Sequence, residues 1–205
     1  MSREKLIWLG GPAAMLGGLL FVVYALGNTL VYASAPAFAD SSGGHAVYHV
    51  FNVPANAVML LGVIGLYSYL RERGGFGIVG KVGFYVCATV FALTTVGGLA
   101  IIFSETTLGG AGVPVLDIIH PMVLLLMLGS ILFGVGALRS GSLPRGGAVM
   151  LIAVPVLMVA SLFALGGPQW AFVGGMSLFG VGWAWLGYGL SSRQEETLQP
   201  EPAVG

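Results

Sequence analysis

Six long apolar runs divide the chain, at 6–33, 47–70, 78–103, 114–138, 146–165 and 169–190. A helix that crosses a bilayer needs roughly 20 apolar residues, so each run is long enough to do so. The pattern predicts an all-α fold, an integral membrane bundle of six transmembrane helices. Composition agrees: 57% of residues are hydrophobic and 8% charged, where a soluble globular chain carries about 25% charged residues. The 34 glycines fit the same reading, because glycine is commoner in spanning helices and lets them approach closely.

Charge placement predicts the topology. All eight cations, Arg3, Lys5, Arg71, Arg73, Lys81, Arg139, Arg145 and Arg193, lie at or beyond run ends that fall on one side. His45, His49 and His120, with Asp40, Glu105 and Asp117, lie at the opposite ends. Lys and Arg favour the cytoplasmic side, so both termini are expected to be cytoplasmic. An even number of helices agrees, since it puts both termini on one side. Acidic and basic residues balance, eight against eight, with no basic stripe, which argues against a nucleic-acid partner. The single cysteine, Cys87, lies within an apolar run and excludes an intrachain disulfide framework.

The first run is uncharged from Leu6 to Ala39. A secretory signal has an apolar core of roughly 7–15 residues, so a retained helix is expected although Ala37-Phe38-Ala39 resembles a cleavage site. The turns at 71–77 and 139–145 are short and rich in Gly, Ser or Pro, which predicts antiparallel neighbours. Residues 1–190 read as one transmembrane domain. Residues 191–205, with Glu195, Glu196, Pro200, Glu201 and Pro202, read as a disordered cytoplasmic tail. Small residues at helical spacing mark candidate packing faces: Gly10, Ala14 and Gly18; Ser130 and Gly134; Gly180 and Ala184. Trp8 and Trp170 sit where interfacial anchors are expected.

A polar stripe is the candidate site. His45, His49, Asn52 and Asn56 are four, three and four residues apart, which places them along one helix face. Pro54 interrupts the stretch and predicts a kink or a freed carbonyl. Tyr24 and Asn28 share a face of the first helix. Cys87, Thr94, Gly98 and Glu105 share one on the third, and Asp117 and His120 open the fourth. An asparagine in lipid needs a partner, so these faces are expected to converge on an outward-facing polar pocket among helices one to four. A structural reading stands beside this one. The asparagines serve as interhelical glue, Tyr24 is an interface aromatic, Asp117 answers the helix dipole, and His45 and Glu105 lie in solvated loops.

No Gly-rich phosphate loop, Gly-x-Ser-x-Gly elbow or His-Glu-x-x-His motif is present. The leading expectation is a non-enzymatic membrane component that binds a small molecule or lipid, or accompanies a membrane partner protein or a second copy of itself. An alternative is b-type haem held axially by His49 and His120. A further one is an outer-leaflet hydrolase with Zn²⁺ held by His45, His49 and His120 with Asp117 or Glu105. A transporter is disfavoured, since no acidic residue lies clearly at the membrane centre and adjacent hairpins do not resemble inverted repeats with broken helices.

The turn Leu138-Arg139-Ser140-Gly141-Ser142-Leu143-Pro144-Arg145-Gly146-Gly147 and the stretch Leu60-Leu61-Gly62-Val63-Ile64-Gly65-Leu66-Tyr67 carry a resemblance. With these, the chain resembles uncharacterised Gly- and Leu-rich six-helix membrane proteins of high-GC bacteria. The resemblance implies a bacterial inner-membrane location and no particular activity.

Overall fold

The structure, a computed structural model, describes residues 3–34, 42–107, 115–165 and 169–198. Side chains at 42–49, 104–107 and 115–121, and at several other positions near helix ends, lie outside that description. The described residues are all-helical. Six helices follow in order: α1 (Arg3–Ser34), α2 (Ser42–Arg73), α3 (Gly77–Thr107), α4 (Val115–Ser140), α5 (Arg145–Leu165) and α6 (Gln169–Leu198). Four stretches are long and apolar enough to cross a membrane: Arg3–Gly27, Val50–Arg73, Gly77–Phe103 and Met122–Ser140. A shorter apolar stretch covers Arg145–Ser161.

Each helix packs antiparallel on the next, and α6 returns to pack on α1, so the bundle is a closed ring. Small residues set the close approach at five of the six seams, and at the sixth, α2–α3, Asn56 meets Thr94 and Tyr67 stacks on Phe84. A Cβ on Gly10 would lie 2.5 Å from Gly65 Cα, and one on Gly62 2.6 Å from Ala14 Cα, so α1 and α2 touch backbone to backbone. Across the α1–α6 seam, a Cβ on Gly18 would meet Gly180 O at 2.3 Å and one on Gly187 would meet Gly11 O at 2.6 Å. Gly83 and Gly136 do the same for α3 and α4, and Gly134 and Gly147 admit α5 between its neighbours. The expected face Gly10–Ala14–Gly18 is therefore split. Gly10 turns toward α2, Ala14 touches both Gly62 of α2 and Gly187 of α6, and Gly18 turns toward Gly180 and Ala184 of α6.

Aromatic rings fill the centre. Trp183 of α6 is fully buried and packs on Phe133 of α4 at 5.1 Å between ring centroids, and on Phe91 of α3 and Phe179 at 6.2 Å. Phe21 of α1 completes the cluster, 6.1 Å from Phe91 and 6.2 Å from Phe179. These distances suit edge-on and tilted contacts, which add to burial.

All eight cations lie at one end of the ring and are exposed. Contacts tie that end together. Arg3 pairs with Glu72 at 3.0 Å, Gln194 Nε2 donates to Ile7 O at 2.8 Å, and Gly75 sits against Ser140. Gly75 takes φ +75°, a left-handed conformation that a side chain would strain. Phe76, next to it, is buried beneath α4 where Gly136 leaves room, 5.3 Å from Phe133. Phe76 and the buried Leu143 of the α4–α5 turn close this end.

Helix boundaries extend beyond the apolar runs. α6 continues past Leu190 to Leu198, and Gln194 bonds to α1 there, so the first turns of the segment read as a tail are helix. Residues 199–205 lie outside the described residues. α2 runs on through Pro54, as α1 and α5 do through Pro12 and Pro155. Backbone groups freed by proline are tolerated where neighbouring helices and side chains re-satisfy them.

The α1–α2 contact is directly testable. Gly65→Leu places a side chain where Gly10 Cα and Leu6 O stand, 2.3 and 2.7 Å from its Cβ. Overpacking costs about 1–3 kcal/mol, and the upper end is expected because backbone atoms have no rotamer to yield. The midpoint of thermal unfolding in mild detergent should fall. Gly27→Ala, which meets nothing within 4 Å, should leave it unchanged or raise it.

Candidate functional site

The helices carry the candidate polar residues to the end of the ring opposite the cations. His45 and His49 lie in the first turns of α2, Asn28 in the last turns of α1, Glu105 at the end of α3, and Asp117 and His120 at the start of α4. His45 and Glu105 are thus on helices and not in loops. Their side chains, and those of His49, Asn28, Asp117 and His120, lie outside the described residues, as does Asp40 altogether. The described side chains include no group of three His, Cys, Asp or Glu arranged to hold a metal.

Below that end, two faces do converge. Asn56 is buried at 3% exposure, and Thr94 Oγ1 of α3 donates to Asn56 Oδ1 at 2.9 Å. Asn56 Nδ2 turns back along α2 and donates to Asn52 O at 2.8 Å and to Asn52 Oδ1. Val90 O, a carbonyl of the same helix as Thr94, lies 2.8 Å from Thr94 Oγ1 and shares its single hydrogen. The amide of Asn56 thus donates along α2 and accepts from α3. Asn52 and Asn56 therefore act as a bridge between α2 and α3, the role that buried amides serve between apolar helices. Half-buried Asn52 is the member of the pair nearer the polar end.

Tyr24 is buried rather than interfacial, 8% exposed, with its ring edge-on to Phe21 at 6.3 Å. It stands at the boundary between the polar end and the aromatic centre. Ser130 is fully buried and donates to Leu126 O and Met127 O of its own helix, both at 2.9 Å, so it places no unsatisfied group in the interior. Two buried atoms do lack partners among the described residues, Trp183 Nε1 and Ser177 Oγ, both on α6. Cys87 is buried against Gly129.

The sequence pattern did not mark the aromatic floor beneath Asn56 and Tyr24. Its one signal is Trp183 between Gly182 and Ala184 and three residues after Gly180, small neighbours that leave room for an indole. A groove between α1 and α6, lined by Pro12, Met15, Leu16, Leu19, Tyr188, Ser191 and Ser192, is also unmarked. It opens to the outside of the ring near the cationic end and lies apart from the polar stripe.

Comparison with protein-family models, with curated proteins and with solved structures finds no match.

The α2–α3 bridge predicts unequal costs. Asn56→Ala removes every bond of the bridge, while Thr94→Val leaves Asn56 bonded to Asn52. Asn56→Ala should therefore lower the detergent unfolding midpoint more. A double-mutant cycle between the two positions should give a coupling of about 0.6 kcal/mol, and no more than about 1.7 kcal/mol. Zero coupling would show the bond to be absent in the folded protein.

Proposed function

We propose that this chain is a multi-pass protein of a bacterial inner membrane, crossing six times with both termini cytoplasmic. Its role is non-enzymatic. It holds a small molecule or lipid group at a polar mouth among α1–α4, or accompanies another membrane protein. The observation that carries the membrane reading is the outer surface of the ring. Leu16, Leu19, Val23, Val96, Leu99, Phe103, Leu124, Leu157 and Phe163 are all at least half exposed. Soluble monomers rarely expose contiguous apolar patches beyond a few hundred Å².

An aromatic belt supports the same reading. Trp8, Tyr85, Trp185 and Tyr188 are exposed, and each lies within about three turns of a cation on its own helix. Trp and Tyr favour the headgroup level of a bilayer. The cations beyond them support a cytoplasmic assignment of that end. A binding role, rather than conduction, is supported by the sealed interior, with the Trp183 cluster at the centre and Phe76 and Leu143 at the cationic end.

Cysteine labelling tests the topology. Native Cys87 is fully buried and gives little background. In spheroplasts a membrane-impermeant maleimide should label Ala111→Cys, in the α3–α4 connection, and should reach Glu4→Cys only after lysis. Labelling of both from the same side would overturn the six-crossing arrangement. The purified protein is expected to show neither a Soret band nor stoichiometric zinc, and either would overturn the non-enzymatic role in favour of haem or hydrolytic chemistry.

A further inference from the structure

The exposed cations are not equivalent. Arg3 is taken by Glu72, and Arg73 lies over the Tyr69 ring at 5.3 Å. Arg71 and Lys81 have no ion-pair partner among the described residues, and they flank one seam. Arg71 follows Tyr67 by four residues on α2, and Lys81 precedes Tyr85 by four on α3. Residues at that spacing share a helix face. Because α2 and α3 are antiparallel neighbours, the two tyrosines meet at one depth and the two cations lie about one turn nearer the end.

The tyrosines do meet, with ring centroids 6.3 Å apart. Tyr67 is held in place by Phe84, whose ring stacks on it at 3.8 Å and 8°. Tyr85 is 61% exposed on the outside of the ring. Below it, Leu93 and Val96 continue the same exposed face, eight and eleven residues on. The result is two cations and two phenols at headgroup level above an apolar stripe, with Glu72, next to Arg71 in the chain, already paired to Arg3.

The geometry points to a site for the anionic phosphate of a phospholipid headgroup at the α2–α3 seam, bound by Arg71, Lys81, Tyr67 and Tyr85, with an acyl chain along Leu93 and Val96. The phosphate oxygens accept from the guanidinium, the ammonium and a phenol, and these charge-assisted bonds are the strong ones. The inference rests on the membrane reading above, because a lipid reaches this seam only from a bilayer.

Native mass spectrometry of the purified full-length protein in mild detergent tests it, with phosphatidylglycerol and phosphatidylcholine added in equal amounts. The wild type should retain phosphatidylglycerol preferentially. R71Q/K81Q should weaken that retention roughly tenfold to thirtyfold, from the loss of two surface cations. R71K/K81R should preserve it, and Y67F/Y85F should lower it by a few-fold. R139Q/R145Q removes the same charge elsewhere on the same end and should change it little. Equal loss in R139Q/R145Q would overturn the site in favour of a diffuse surface potential. Displacement by an equal concentration of inorganic phosphate would overturn the lipid in favour of a soluble phosphate. Unchanged melting of each variant keeps these outcomes separate from misfolding. Alkaline carbonate extraction separates the two proposals. A chain that leaves the membrane fraction overturns the membrane reading, whereas one that stays but shows no lipid preference overturns only the site.

Discussion

Backbone-to-backbone contact at glycine holds this ring together. The helices are apolar on their outer faces as well as their inner ones, with Leu16, Leu19 and Val23 exposed on α1 while Phe21 is buried. Where both faces of a helix are apolar, burial gives little preference for one orientation over another. Packing then decides, through many dispersion contacts of about 0.1–0.2 kcal/mol each. Those contacts multiply only if the axes approach closely, which Gly10 and Gly65, Gly18 and Gly180, and Gly83 with Gly129 allow.

The aromatic cluster is one consequence of this packing. Small residues at the seams leave volume at the centre, and Trp183, Phe91, Phe133, Phe179 and Phe21 occupy it. The same arrangement divides the molecule into two ends of different character. One is closed by Phe76 and Leu143 and carries the cations; the other carries the helix ends with His49, Glu105, Asp117 and His120. The Asn56–Thr94 bridge lies between the aromatic floor and that polar end. Through it Asn56 bonds both to Asn52 of its own helix and to Thr94 of α3.

Part of the candidate site was legible in the sequence. An asparagine pair in an apolar run must find partners, so the inward face of α2 followed from composition and spacing. The partner did not follow, because Thr94 is 38 residues away and its meeting with Asn56 depends on the α2–α3 register. Tyr24 shows the limit from the other side: as an aromatic near a helix end it fits either an interface or a pocket, and only its burial beside Phe21 removes the interface. The Arg71–Lys81 seam was hidden for the same reason, as two charged turn-flanking residues read only as topology until the helices were paired.

The sequence by itself determined the helical class, the six helices and the gathering of all cations at alternate helix ends. These are one-dimensional properties, set by runs of apolar residues and by where Gly, Pro and charge interrupt them. It also marked some of the small residues that permit close approach, Gly10, Ala14, Gly18, Gly134 and Gly180 among them, but not Gly83, Gly136 or Gly187. Only the tertiary structure decided which neighbour each small residue faces, that α6 closes the ring on α1, and which aromatic rings fill the centre. The physical reason is that an all-round apolar helix carries no amphipathic signal of its inward face, so its rotation is chosen by the shapes of the helices beside it.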